Sequence, residues 1–112
     1  MAEITTETVD GIHFIHVNGE IDAGSSIYLD DALKGAMEND EKKIVTDLSG
    51  LHYISSAGLG VFISHLDEFE IQKIQMTIYG INDTVKQVFD ILGLGKLLTI
   101  VETKEQAVAS FK

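Results

Sequence analysis

The hydrophobic pattern of this chain changes period several times, and the order of those changes restricts the folds open to it. From about residue 25 onward, segments with apolar residues at helical spacing alternate with short apolar, β-branched segments. Strands that are joined through a helix usually pair in parallel, by right-handed crossovers. The pattern therefore predicts three parallel strands, each reached through an amphipathic helix.

The first 18 residues carry a different pattern, in which apolar and polar residues alternate with the period of a strand. Asp10-Gly11 interrupts the alternation, and this dipeptide readily adopts the positive φ angles of a tight hairpin turn. Ile4 is expected on the same face of the hairpin as Phe14. The second strand has apolar residues on both faces, which is typical of a strand inside a sheet.

These segments give the order β-β-α-β-α-β-α-β-α, an α/β fold with about five strands and four helices. A chain of 112 residues holds one hydrophobic core, so we expect a single domain over residues 1–112. Ser25 or Ser26 is expected to cap the first helix, and Thr103 with Gln106 has the spacing of a capping box. The predicted helices contain residues 29–37, 59–66, 81–92 and 107–111, and the later strands contain 44–48 (ended by Ser49-Gly50), 75–80 and 98–101.

The charge and the cysteine content exclude several functions. A formal net charge of −10 repels phosphate backbones and anionic lipids, so neither nucleic acid nor a membrane is expected as a direct partner. No apolar run approaches the roughly 18 residues of a membrane span, and no signal segment opens the sequence, so we expect a cytoplasmic protein. The absence of cysteine excludes disulfides, thiolate nucleophiles and cysteine-ligated zinc.

Four histidines raise the question of a metal site. His13 and His16 are three positions apart on one strand, so they point to opposite faces and do not chelate one ion together. His52 and His65 stand alone in the sequence, without an H-E-x-x-H motif or paired carboxylates. We therefore expect surface or partly buried histidines, and no metal or other cofactor.

The junction before the second amphipathic helix contains two serines, Ser55 and Ser56. Gly58 stands two places after Ser56, as in the nucleophile elbow of serine hydrolases, but Ile54 occupies the position of the elbow's other glycine. The sequence also shows no histidine held by a carboxylate, which a catalytic triad requires. A serine hydrolase is thus an alternative that lacks half of its motif.

Two other roles for these serines remain open on physical grounds alone. A serine that accepts a free backbone N–H at the start of a helix stabilises the helix by roughly 0.5 to 2 kcal/mol. A phosphate on a serine there adds about −1.5 to −2 charges next to unpaired N–H groups, which tolerate an anion well. Such a phosphate changes binding to a partner without changing the fold.

Three segments stand in a characteristic order and spacing: Gly19-Glu20-Ile21-Asp22, Ile44-Val45-Thr46-Asp47-Leu48-Ser49-Gly50 and Tyr53-Ile54-Ser55-Ser56-Ala57-Gly58-Leu59-Gly60-Val61. Together they resemble the STAS domain of bacterial anti-sigma factor antagonists. The resemblance covers nearly the whole chain. It implies a single STAS domain, whose small mixed sheet flanked by helices has the order of elements given above.

The resemblance implies regulated binding rather than catalysis. In that family, a serine or threonine at the start of the second long helix is phosphorylated by an anti-sigma factor that is also a serine kinase. The unphosphorylated antagonist binds this kinase and releases the sigma factor, and a PP2C-type phosphatase reverses the phosphorylation. The alternative is a STAS module that is never phosphorylated and serves as a scaffold or transport-complex subunit.

The resemblance also implies which residues act. The common motif reads Asp-Ser-Ser/Thr-Gly-Leu-Gly, and aligning its first glycine with Gly58 puts Ala57 at the frequent phosphate acceptor. Ser56 is therefore the expected acceptor, and Ser55, which stands at the Asp of the motif, is the second choice. The partner-binding residues implied by the resemblance are Asp22, Gly24, Ser25, Ser55, Ser56, Ala57, Gly58, Leu59 and Gly60.

Overall fold

The computed structural model describes residues 2–111, which form one five-stranded sheet and four α-helices. The elements are β1 (Ala2–Val9), β2 (Ile12–Ile21), α1 (Ser26–Glu38), β3 (Lys43–Ile54), α2 (Ser56–Gln72), β4 (Gln75–Tyr79), α3 (Asp83–Ile91), a 3-10 turn (Leu94–Lys96), β5 (Thr99–Val101) and α4 (Lys104–Ala109). The strands lie in the order β1-β2-β3-β4-β5, with β1 antiparallel to β2 and every other pair parallel. The predicted α/β fold and its element order are confirmed.

The hairpin of β1 and β2 closes through a two-residue turn. Asp10 and Gly11 have φ angles of 52° and 80°, as the turn requires. This turn pairs Val9 with Ile12, and the same register pairs Ile4 with Val17. The expectation that Ile4 shares a face with Phe14 was wrong, because a two-residue turn places Ile4 opposite an odd-numbered residue of β2 while Phe14 faces the other side.

The two faces of the sheet are covered unequally. Helices α1, α2 and α3 pack on one face, where Ile15, Ile44 and Ile78 lie in the main hydrophobic core. On the other face the short helix α4 covers a smaller cluster that includes Phe14 and Ala107. The predicted capping box at the start of α4 is confirmed. Among residues 2–111, no helix combines the length and the apolar character needed to cross a membrane.

Strand β3 is longer than predicted, because Ser49-Gly50 does not end it. Pairing with β2 continues to Ile54 through register irregularities, and Leu48 and Leu51 are both buried although they are three residues apart. An inserted residue of this kind is the mark of a β-bulge. Beyond the bulge, β3 runs directly into the two serines that precede α2.

A hydrogen bond between buried His65 and partly buried Asp30 joins α2 to α1, and the burial of His65 departs from the expectation of surface or partly buried histidines. His65 is only 7% exposed, and its Nε2 lies 2.7 Å from Oδ1 of Asp30, whose other oxygen lies 2.8 Å from Nζ of Lys34. His13 is also buried, at 8% exposed, whereas His16 is half-buried and His52 is exposed, as expected. Hydrogen bonds from Lys34 and His65 hold the pKa of Asp30 below its usual value despite partial burial.

The first turn of α2 lies against the ends of β2 and β3 at Gly58. A Cβ atom on Gly58 would lie 2.6 Å from Cγ2 of Ile21 and 2.7 Å from Cγ1 of Ile54, and both isoleucines are buried. Real Cβ atoms do not approach carbon so closely, and buried isoleucines have little room to move. The glycine is therefore required for the helix to lie this close to the sheet.

We expect Gly58→Ala to lower the free energy of unfolding by about 1–3 kcal/mol, because the added methyl group overpacks the core. Gly60→Ala is the matched control: Gly60 is exposed, nothing lies within 4 Å of its added Cβ, and it should gain up to about 1 kcal/mol of helix stability. Urea unfolding measures both values. Equal stability of the two variants would contradict the packing argument.

We expect Asp30→Ala to lower the free energy of unfolding by about 1–3 kcal/mol at pH 7, because it leaves buried His65 without its partner. Since the pKa of Asp30 is lowered by folding, its contribution is present above the unfolded value of about 3.9 and is lost as the pH falls through the folded value. The difference between wild type and variant should therefore shrink below about pH 4. Asp31→Ala, at an exposed neighbouring position, should change stability by less than about 0.5 kcal/mol.

Candidate functional site

The carboxyl ends of β2 and β3 meet at one edge of the sheet, where parallel strands commonly present functional residues. The backbone N–H of Ser55 donates a 2.7 Å hydrogen bond to the carbonyl oxygen of Ile21. The loop after β2 and the start of α2 are thereby held side by side. We call the surface formed by residues 22–25 and 55–60 the Ser56 edge; it contains all the partner-binding residues that the sequence predicted.

Ser55 is the N-cap of α2. Its backbone is extended (φ −83°, ψ 169°), and its Oγ accepts a 3.2 Å hydrogen bond from the backbone N–H of Gly58. Its carbonyl oxygen accepts the helical hydrogen bond from Leu59. The capping role that the sequence left open between two serines thus falls to Ser55, which is half-buried.

Ser56 is the first residue of α2, and its side chain is exposed. Within residues 2–111 its hydroxyl has no hydrogen-bond partner, so a phosphate transferred to it displaces no internal contact. The first backbone N–H groups of a helix lack partners inside the helix, and the positive end of the helix dipole lies there too. The position is therefore accessible and electrostatically suited to an anion.

Asp22 organises the loop after β2. Its Oδ1 accepts hydrogen bonds from the backbone N–H (2.8 Å) and the hydroxyl (2.9 Å) of Ser25, while the Asp22 N–H donates to Ser25 Oγ (2.9 Å). The backbone N–H of Ser25 and then its hydroxyl hold the pKa of Asp22 below its usual value. The carboxylate is therefore charged at neutral pH.

This loop refines the prediction that Ser25 or Ser26 caps α1. Ser25 occupies the N-cap position, and its carbonyl oxygen accepts the backbone N–H of Tyr28. Neither serine side chain accepts a backbone N–H from the first turn of the helix, and the hydroxyl of Ser26 donates instead to the carbonyl oxygen of Ala23. Asp22 accepts from the N–H of Ser25 with its side chain and from the N–H of Ser26 with its carbonyl oxygen. Asp22 therefore fixes the backbone that leads into α1, with Ser25 as its partner.

The predicted partner-binding residues differ in exposure. Asp22, Gly24, Ser56, Ala57 and Gly60 are exposed and Ser55 is half-buried, so these residues form the accessible part of the Ser56 edge. Ser25, Gly58 and Leu59 are buried, and Leu59 is fully enclosed in the main core. Those three residues lie on the core side of the site and support its accessible residues.

Large apolar side chains near the Ser56 edge were not identified from the sequence. Ile27 and Tyr28, in the first turn of α1, are 57% and 59% exposed, and Tyr53, shortly before Ser55, is 47% exposed. Ile63 of α2 is also 42% exposed. One sequence signal could have identified Ile27 and Tyr28 as exposed: both precede Leu29, where the apolar spacing of the buried helix face begins.

A polar cluster on the α4 face joins three strands. His16 Nδ1 lies 2.7 Å from Asp47 Oδ2, and the hydroxyl of Ser49 donates a 2.6 Å hydrogen bond to Asp47 Oδ1. Burial acts to raise the pKa of Asp47, but hydrogen bonds from Ser49, His16 and Tyr79 outweigh it and hold the pKa below its usual value. Burial, with the hydrogen bond to Asp47, raises the pKa of Tyr79 to about 12.

Histidine–carboxylate pairs therefore exist, although the sequence showed none. His16 pairs with Asp47 on the α4 face, and His65 pairs with Asp30 nine residues along α2 from Ser56. His13 also lies 3.2 Å from Glu41. None of these three histidines is hydrogen-bonded to Ser55 or Ser56, so within residues 2–111 these serines are not part of a catalytic triad. The same described residues contain no group of three or more His, Asp or Glu side chains placed to hold a metal ion.

Comparison with known proteins agrees with this geometry. The model of the STAS domain family matches residues 3–107. The anti-sigma-B factor antagonist of Staphylococcus aureus is 28% identical over 102 residues, which cover 91% of this chain and 94% of that protein.

Two solved structures share the fold. The crystal structure of an anti-sigma factor antagonist from Mycobacterium paratuberculosis is similar with a TM-score of 0.90 at 20% identity, covering 98% of this chain and 93% of that one. The Bacillus cell fate determinant SpoIIAA in its phosphorylated form has a TM-score of 0.74 at 20% identity, with 98% and 100% covered. With the family match over nearly its whole length, the chain belongs to the STAS domain family.

Proposed function

We propose that this protein is an anti-sigma factor antagonist that is switched by phosphorylation of Ser56. The unphosphorylated form binds an anti-sigma factor that is also a serine kinase, and the sigma factor is thereby released. Phosphorylation by that kinase ends the binding, and a PP2C-type phosphatase restores it. The protein acts by binding, not by catalysis.

The observation that carries the proposal is the division of roles between the two serines. Ser55 Oγ is engaged by the N–H of Gly58, whereas the Ser56 hydroxyl is exposed and unpartnered among residues 2–111. A kinase that takes Ser56 as its substrate leaves the cap of α2 intact. Phosphorylation of Ser55 would instead convert a capping hydroxyl that lies half-buried.

Charge explains how a phosphate ends the binding. The Ser56 edge already carries the ionised carboxylate of Asp22, on a chain with a net charge of −10. A phosphate adds about −1.5 to −2 charges and three oxygens at an exposed position. A partner surface fitted to a neutral hydroxyl must then accept a larger, dianionic group, which weakens docking without any change in the fold.

Relatives support this reading. The similar protein of Staphylococcus aureus is named an anti-sigma-B factor antagonist, and the fold is shared with a protein whose structure is known in a phosphorylated form. One observation favours a second candidate, a STAS scaffold that is never phosphorylated: Ala57, which has no hydroxyl, stands where the family motif places its frequent acceptor.

Phosphate transfer to serine variants separates these candidates. Incubated with ATP and the anti-sigma factor kinase encoded in the same genome, the wild type should gain the mass of one phosphate and Ser56→Ala should gain none. Ser55→Ala is the matched control and should still be phosphorylated, while losing about 0.5–2 kcal/mol of stability with its helix cap. Mass spectrometry of the intact proteins gives the result.

Three outcomes contradict the proposal in different ways. Phosphorylation of Ser56→Ala at the wild-type level would show that another residue is the acceptor. Loss of phosphorylation in Ser55→Ala alone would identify Ser55 as the acceptor. A wild type that binds the kinase and gains no phosphate would favour the scaffold.

A further inference from the structure

The Ser56 edge is built from the starts of two helices, and only α2 is fixed directly to the sheet there. The backbone N–H of Ser55 donates to the carbonyl oxygen of Ile21 at the end of β2, and Gly58 packs against the side chain of the same isoleucine. The loop of residues 22–25 begins at the end of β2, but its other end is carried by α1. The position of α1 against α2 therefore decides where that end of the loop lies relative to Ser56.

The apolar contacts of α1 favour its packing on the core without favouring one direction. Leu29, Leu33 and Ala36 are the buried residues of α1, and they belong to the main core. Apolar burial is favourable roughly in proportion to the area removed from water and is not directional. A hydrogen bond adds a direction, because its energy depends on the angle as well as the distance.

A hydrogen bond between His65 of α2 and Asp30 of α1 supplies that direction. Nε2 of His65 lies 2.7 Å from Oδ1 of Asp30. Hydrogen bonds from Lys34 and His65 hold the pKa of Asp30 below its usual value, so the carboxylate is charged at neutral pH and can only accept. The Nε2–H of His65 is therefore the donor. Hydrogen bonds to an ionised group are among the strong ones, and burial of His65 limits competition from water.

Neighbouring side chains hold both partners of this bond in place. The ring of His65 stacks on Phe69, with 6.0 Å between the ring centroids and 18° between the planes. Oδ2 of Asp30 lies 2.8 Å from Nζ of Lys34, one turn further along α1. Asp30 itself lies about one helical turn after Ser26, the first residue of α1. The bond therefore acts on the part of α1 that carries the loop.

We propose that His65 is a positioning residue for the Ser56 switch: through Asp30 it holds the start of α1, and with it the loop of residues 22–25, in the place relative to Ser56 that the kinase binds. This inference rests on the proposed function and extends it to a buried residue outside the Ser56 edge. Without the bond, the loop is freer to move relative to Ser56. The kinase must then order the loop when it binds, and this cost lowers the affinity.

A double variant separates positioning from stability. Asp30→Leu/His65→Phe removes both polar partners together, so no unpaired polar group is left buried and the stability should stay near that of the wild type. Calorimetric titration with the anti-sigma factor kinase encoded in the same genome should nevertheless show binding that is at least about fivefold weaker. Urea unfolding measures the stability of the same protein.

Single variants provide the controls. Asp30→Asn is the conservative variant, because its side-chain amide can still bond to His65, and Lys34→Ala removes only the partner of Asp30 within α1. Both should bind the kinase within about twofold of the wild type. If the double variant does not fold, Asp30→Ala replaces it, with Thr103→Ala as a control that also loses stability, since Thr103 caps α4 on the opposite face of the sheet.

Amide hydrogen exchange, followed by NMR in the absence of the kinase, is the second readout. The backbone N–H groups of Ser25 and Ser26 donate to Asp22 in the loop. Their exchange should be at least about fivefold faster in the double variant and unchanged in Lys34→Ala, because only the double variant releases α1 from α2.

The outcomes separate the positioning role from the switch. Wild-type affinity or wild-type exchange in the folded double variant would overturn the positioning role, and the proposed function would stand if phosphorylation of Ser56 still ends binding. Equal weakening in Lys34→Ala and the double variant would assign the effect to the ion pair within α1 and also overturn the inference. Absence of any complex between the wild type and the kinase would overturn both.

Discussion

The close packing of α2 against the ends of β2 and β3 is the constraint on which the site depends. Gly58 leaves no space between the helix and the side chains of Ile21 and Ile54, and Ser55 closes the junction with a backbone hydrogen bond to Ile21. Both contacts fix where the helix begins. They place Ser56 at an exposed first position and bring it beside the loop that Asp22 organises.

Hydrogen bonds at the starts of α1 and α2 then determine which polar groups of this edge are already engaged. Asp22 is occupied by Ser25 at the start of α1, and the hydroxyl of Ser55 is occupied by Gly58 at the start of α2. Among residues 2–111, the hydroxyl of Ser56 is the one serine hydroxyl of this edge that makes no internal hydrogen bond. A residue with no structural task can change its charge at little cost in stability, which is what a reversible switch requires.

Patterns that are local in the sequence predicted most of the fold. Hydrophobic periodicity gave the order of strands and helices, and a dipeptide gave the hairpin, because each depends on neighbouring residues. The face predicted for Ile4 was wrong because it depends on the number of residues in the turn, which sets the register of β1 on β2. The predicted length of β3 was wrong because the strand continues past Ser49-Gly50 through a bulge. Buried His65 was missed because its partner Asp30 is 35 residues away.

The candidate site was predicted by its resemblance to a family motif, and the structure adds what a motif does not contain. The motif alone does not show which of the two serines caps α2; the hydrogen bond that Ser55 accepts does. It also does not show that Leu59 is buried while Ile27 and Tyr28 are exposed, since exposure depends on how α1 and α2 pack on the sheet.

The central claim, that one phosphate on Ser56 decides partner binding, is tested most directly with the modified protein itself. The affinity of the anti-sigma factor kinase is measured by calorimetric titration for protein phosphorylated at Ser56 and for unphosphorylated protein. The account predicts that phosphorylation weakens the complex by about 100-fold or more, which corresponds to about 2.8 kcal/mol. Equal affinity for the two forms would contradict it.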